Sequence, residues 1–153
     1  MSRPGEFVAG DVLAAAEVNT LPGGGYAYAA VTSGQSGIGT TEVDLTSLTV
    51  TVDLPAARRI KITGHGQFTQ ATAAGIPRLV VREGSTILGF AGRGPSHGTG
   101  SAGVVLLDGS IIIAPSSGSH TYKLSAATST DTCQLSAAAD NPAFILCEDI
   151  GPA

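Results

Sequence analysis

Gly94-Pro95-Ser96-His97-Gly98 has the G-x-S-x-G spacing that raises a serine nucleophile on a strained turn between a strand and a helix. The turn works only if a helix follows it. Here Thr99-Gly100-Ser101-Ala102-Gly103 follows, and so much Gly is a poor helix start. Gly98 to Gly103 also has the G-x-G-x-x-G spacing of a dinucleotide turn. That turn must open a helix whose N-terminus meets a pyrophosphate. Val104-Val105-Leu106-Leu107 reads as a strand instead. His65, His97 and His120 each have the chemistry of a general base or metal ligand. None stands two or four residues from another His, Asp or Glu, so the spacing defines no metal site. Cys133 and Cys147 lack the close Cys or His partners that zinc needs. Two reduced, packed thiols are one reading of them. A disulfide across a hairpin turning near Asp140-Asn141-Pro142 is the other. The expectation is a chain that is not an enzyme and uses no cofactor and no metal.

Composition narrows the partners. The 153 residues carry 8 Lys plus Arg and 12 Asp plus Glu, a net charge of −4. A basic footprint for nucleic acid is missing; Arg58-Arg59 with Lys61 is the only cationic cluster. With no Trp and 5% aromatic residues, there is little on which to stack bases or sugars. No apolar run reaches the length of a membrane span. The opening MSRPGEFVAGDV has no apolar signal core, so export by a signal peptide is not expected. Only 13% of residues are charged while 42% are hydrophobic, which argues for a packed core over disorder. The 21 Gly and 8 Pro, with abundant Ser and Thr, argue against a helical bundle.

The elements follow from periodicity. Residues 1–25 are expected to form an arm. Asp11 is placed to cap a helix over Val12 to Val18, which is too short to stand alone. Pro22-Gly23-Gly24-Gly25 then forms a hinge. Residues 26–153 read as strands separated by turns every 10 to 15 residues. Tyr26 to Ser33 reads as a strand and Ser33 to Gly39 as a loop. Val43 to Leu54 alternates Leu48, Val50 and Val52 against Thr49, Thr51 and Asp53. Arg58 to Gln70 places Ile60, Ile62 and Gly64 on one face. Arg78 to Arg82 and Thr86 to Phe90 form a hairpin. Gly92 to Gly103 is a long loop, with Arg93, Ser96 and His97 as its candidate binding residues. Val104 to Leu107 and Ile111 to Ala114 flank a turn at Asp108-Gly109. Strands over His120 to Ala127, Thr132 to Ala137 and Ala143 to Glu148 complete an all-β, jelly-roll-like β-sandwich preceded by a short helix.

Four stretches carry a family resemblance. Phe7-Val8-Ala9-Gly10-Asp11-Val12-Leu13-Ala14-Ala15-Ala16-Glu17-Val18-Asn19 resembles the opening of many virion proteins of tailed phages. Arg58 to Gly64, Gly118 to Leu124 and Glu148 to Pro152 are similar to stretches of small minor tail proteins of phages infecting actinobacteria. Gly118-Ser119-His120-Thr121-Tyr122-Lys123-Leu124 also resembles a core strand of trimeric jelly rolls of the C1q/TNF-like and phage-fibre kind. The resemblance implies a virion protein, a minor tail or fibre-like component that forms a homotrimer. Its arm would anchor to other virion proteins of the tail or capsid through Phe7, Val8, Val12, Leu13 and Val18. A capsid decoration or head-fibre protein is the alternative. A module binding host cell-surface glycan through Arg93, Ser96 and His97 is a second. The low charge leaves weakly polar faces that contact between copies would cover.

Overall fold

A computed structural model of the chain describes residues 27–70, 75–94 and 103–153. The expected helix, the Gly hinge and the anchoring residues Phe7, Val8, Val12, Leu13 and Val18 lie outside the described residues, as do Ser96 and His97. Among the described residues there are ten strands and no helix. They are β1 (Ala27–Val31), β2 (Gln35–Ile38), β3 (Val43–Leu54), β4 (Arg58–Gln70), β5 (Pro77–Glu83), β6 (Thr86–Arg93), β7 (Val104–Ile113), β8 (Gly118–Thr128), β9 (Cys133–Ser136) and β10 (Ala143–Pro152).

The pairing explains the architecture. β5 pairs with β6, β4 with β7, β3 with β8 and β1 with β10, all antiparallel. The chain is thus one long two-stranded ribbon, folded back at β5–β6. Successive pairs of the ribbon alternate between two sheets, which is the wrapping of a jelly roll. One sheet has the order β3-β8-β5-β6. The other is six-stranded and centred on β4. Along one edge of β4 runs β7, from Ile60 to Thr69. Along the other edge run β10, opposite Arg58 to His65, and then β9, opposite Gln67 to Gln70. β1 and β2 border β10 and β9 in turn.

The inward half of each strand makes the core. β4 alternates buried Ile60, Ile62 and Phe68 with outward Lys61, Thr63 and His65. Leu48, Val50 and Val52 of β3 face in as expected, opposite Tyr122 and Leu124 of β8. A left-handed Ser47 (φ 62°) puts a bulge into β3, so Leu45 and Leu48 both reach the core at a spacing of three. On one side the two sheets meet where β6 lies against β7. A Cβ at Gly109 would collide with the Ala91 carbonyl oxygen, and one at Gly92 would lie 2.9 Å from the Leu107 Cβ.

That closeness corrects one expectation. Asp108-Gly109 is no turn: β7 runs unbroken from Val104 to Ile113, and Gly109 stands opposite Gly64. The glycine serves a close backbone approach there. The loop expected over Ser33 to Gly39 contains β2, held by Gln35 opposite Leu135 and Ile38 opposite Cys133. The left-handed Gly37 (φ 75°) shifts its register and masks the strand pattern. The disulfide reading also fails, since both cysteines are free and buried. Cys147 stands opposite Ile62 and Cys133 opposite Gln70. Eight residues of β4 separate those two positions, about 27 Å at the antiparallel rise. A disulfide spans only about 4.4–6.8 Å between Cα atoms.

The cationic cluster splits between the two sides of β4. Arg58 is buried and ion-paired with Asp149 at 2.7 Å, its Nε donating to both carboxylate oxygens. Asp149 Oδ1 also accepts from the Gly151 N–H at 3.0 Å. Arg59 and Lys61 point outward.

Candidate functional site

Among the described residues, Arg93, His65, His120 and the two cysteines, weighed from the sequence as binding, catalytic or metal-ligating groups, lie apart from one another. Arg93 ends β6, exposed and opposite Arg78 in the ladder. His120 has both ring nitrogens engaged, Nδ1 with Glu83 Oε1 at 2.7 Å and Nε2 with the Ser116 carbonyl at 2.9 Å. Its ring stacks on Tyr122. Burial pushes the Tyr122 phenol up, and burial likewise raises both thiols, each to about 11. Thiols so placed are poor nucleophiles. Among the described residues, no group of three or more His, Cys, Asp or Glu is placed to hold a metal ion. No helix there is long and apolar enough to cross a membrane.

The two outer faces of the sandwich differ in degree: ion pairs cover much of one, and exposed large apolar side chains are more numerous on the other. The β3-β8-β5-β6 sheet is dressed in paired charge. Glu42 lies 3.4 Å from Arg78 and 3.2 Å from Arg82. Asp44 meets Lys123 at 2.5 Å and accepts from Ser125 Oγ at 2.7 Å. These two bonds hold the Asp44 carboxyl below the usual range. Thr51 and Thr121 join their hydroxyls across the same face. Towards its edge the same sheet is less polar, with Phe90 and Ile87 of β6 54% and 45% exposed.

The outer face of the six-stranded sheet is built from other residues. Its register sets them in rows across β7, β4, β10 and β1. Ile112, Lys61 and Glu148 form one row, and Ser110, Thr63, Leu146 and Tyr28 the next. Asp108, His65, Phe144 and Ala30 form the third. Leu106 follows beside Gln67, and Val104 beside Thr69. Tyr28, Val104, Leu106 and Ile112 are each between 56% and 62% exposed. The Phe144 ring stacks on His65 at 4.9 Å and touches Tyr28 at 5.7 Å. On this face Lys61 lies 3.4 Å from Glu148, the His65 ring 3.9 Å from Asp108, and Arg59 Nε donates to the Pro152 carbonyl. Thr63 Oγ1, near the middle, is buried without a hydrogen-bond partner.

The sequence reason for this face lies in β7 and β10. A strand with one wet side alternates, as β3 does with Thr49, Thr51 and Asp53. Val104-Val105-Leu106-Leu107, Ile111-Ile112-Ile113 and Ala143-Phe144-Ile145-Leu146-Cys147 are continuous apolar runs. Runs of that kind belong to strands covered on both sides. Among the described residues the outer side of β7 is exposed at Val104, Leu106 and Ile112, and Phe144 and Leu146 of β10 are half-buried. Chemically, the face offers exposed apolar side chains among a few polar and charged groups. The signal was present in the sequence, but reading a turn at Asp108-Gly109 divided it in two.

A second feature sits at one end of the same sheet. The break between β1 and β2 and the break between β9 and β10 fall side by side. They open a cleft of about 590 Å³ between Gly34-Gln35-Ser36 and the 134–141 segment, with Gln67 also lining it.

No protein-family model and no curated protein sequence matches this chain. Among solved structures, it is similar to the VP2 subviral particle of infectious bursal disease virus, with a TM-score of 0.52 and 14% identity over 82% of this chain and 32% of that one. The structure of the Gx strain of infectious bursal disease virus gives a TM-score of 0.48 and 15% identity, over 84% of this chain and 33% of that one. A pentameric capsid protein isolated from metagenomic phage sequences gives 0.29 and 14%, over 72% and 67%. The chain spans about a third of the length of the two bursal disease virus structures. At these identities the likeness is one of fold.

Proposed function

We propose that this chain is a non-enzymatic virion structural protein that assembles with copies of itself, as a homotrimer, through the outer face of the β7-β4-β10-β1 layer. The observation that carries the reading is the outer side of β7, where Val104, Leu106 and Ile112 lie exposed among the described residues, continued by half-buried Phe144 and Leu146 of β10 and exposed Tyr28 of β1. A stable interface takes about 800 Å² from each partner. The rows run from Ile112 to Val104 along β7, and two of them reach across four strands to β1. The jelly-roll likeness to the VP2 subviral particle supports a place on a viral shell, as a capsid-associated or decoration protein. The resemblance of residues 7–19 to the openings of tailed-phage virion proteins favours a second reading, a minor tail or fibre-like component. In either place residues 1–25 serve as the anchoring arm. Labelling purified particles with an antibody to the chain and imaging them tests the proposal. Signal over the shell supports the first placement and signal at the tail the second. Particles free of the protein refute both.

A further inference from the structure

The cleft beside Gln67 has a composition that assembly does not call for. Its walls are fixed by bonds within the fold. Asn141 Nδ2 donates to Gln67 Oε1 at 2.6 Å, and the Thr69 and Ser136 hydroxyls bond at 2.8 Å. Ala138 and Asn141 exchange backbone hydrogen bonds of 3.1 Å. The opposite lip is tied back by Gln35, whose side chain donates to the Asp44 carbonyl and accepts from the Thr46 N–H. At Gly34 an added Cβ would lie 2.5 Å from the Leu135 carbonyl oxygen, so only glycine lets that lip approach. The shape is therefore preformed, which spares a ligand the cost of ordering it.

The polar groups left over have a definite character. The Gln134 amide, the Asp140 carboxylate and the Ser36 hydroxyl line the cleft, and no protein hydrogen bond engages any of them among the described residues. Gln67 keeps its Nε2 donor and Asn141 an Oδ1 acceptor. The lining thus holds both donors and acceptors, with one carboxylate and no cation. An anionic ligand finds no counter-charge there, and an apolar one would strip amides of water without replacing their bonds. Neighbouring sugar hydroxyls each donate and accept at once, and so match this set. The volume of about 590 Å³ lies within the range of small-ligand sites, about 300–1,000 Å³. We propose that the cleft between Ser36 and the 134–141 segment binds one or two residues of an uncharged glycan. No aromatic ring lines it, so binding is weak, in the millimolar range.

The inference stands apart from the assembly reading, because its test detects bound sugar whatever the oligomeric state. Saturation-transfer NMR on the full chain would use neutral oligosaccharides of glucose, galactose, mannose and N-acetylglucosamine. Glucuronic acid and glucose 6-phosphate serve as charged controls. At least one neutral sugar is expected to receive saturation, with weaker signals from the charged pair. The double substitution Gln134→Ala with Asp140→Ala touches two exposed side chains, and is expected to weaken binding about tenfold or more while leaving the melting temperature unchanged. No signal from any neutral sugar overturns the proposal. So does unchanged binding by the double variant, or equal binding of the charged controls.

Discussion

Replacing Leu106 and Ile112 together by glutamate separates assembly from folding. Both side chains point out of β7, 58% and 62% exposed in the single chain. Burying a whole Leu or Ile side chain is worth about 1.5–3 kcal/mol. The exposed fraction therefore withholds about 1–2 kcal/mol at each position until another surface covers it. Losing both costs an interface about 2–4 kcal/mol per copy, a roughly 30- to 900-fold weaker association. Burying the new carboxylates would cost more still. The fold has little at stake, since exposed substitutions usually move stability by less than about 0.5 kcal/mol. A carboxylate at position 112 also meets the Lys61 ammonium across the ladder. Sedimentation velocity over a concentration series should show wild type as an oligomer and the variant as single chains, with matching circular dichroism and thermal melts. A variant that keeps the wild-type mass refutes the assignment of this face.

Three further outcomes follow from other parts of the fold. Asp149→Ala leaves the buried Arg58 guanidinium without its carboxylate and should cost about 3–5 kcal/mol in a denaturant melt; a loss under about 1 kcal/mol would contradict the buried pair. Cys133 and Cys147 should resist a thiol reagent at neutral pH, because burial has raised both thiols, and should both label after unfolding; an intramolecular disulfide by mass spectrometry would contradict the register. Deleting residues 1–22 should leave the melt of the β domain intact and abolish incorporation into particles; normal copy number in particles would remove the anchoring role from Phe7, Val8, Val12, Leu13 and Val18.

The sandwich was legible because most strands obey their period. Leu48-Val50-Val52 and Ile60-Ile62 announced the inner faces of β3 and β4, and the structure buries all five. The errors came where glycine has two meanings. Asp108-Gly109 looks like a hairpin turn, yet Gly109 is there so that β6 can press on β7. Gly37 hid β2 in what reads as a loop. The ion pair of Arg58 with Asp149 joins residues 91 positions apart, a separation local pattern cannot bridge. The cleft is equally invisible in sequence, since it depends on two strand interruptions falling level with each other. Ser96 and His97, the most suggestive residues in the sequence, lie outside the described residues.

The mass of the purified full-length chain in solution, measured by native mass spectrometry, bears most directly on the central claim that the β7-β4-β10-β1 face is covered by other copies. The account requires a species of three times the 15.2 kDa chain. A single 15.2 kDa species persisting as concentration rises would contradict it.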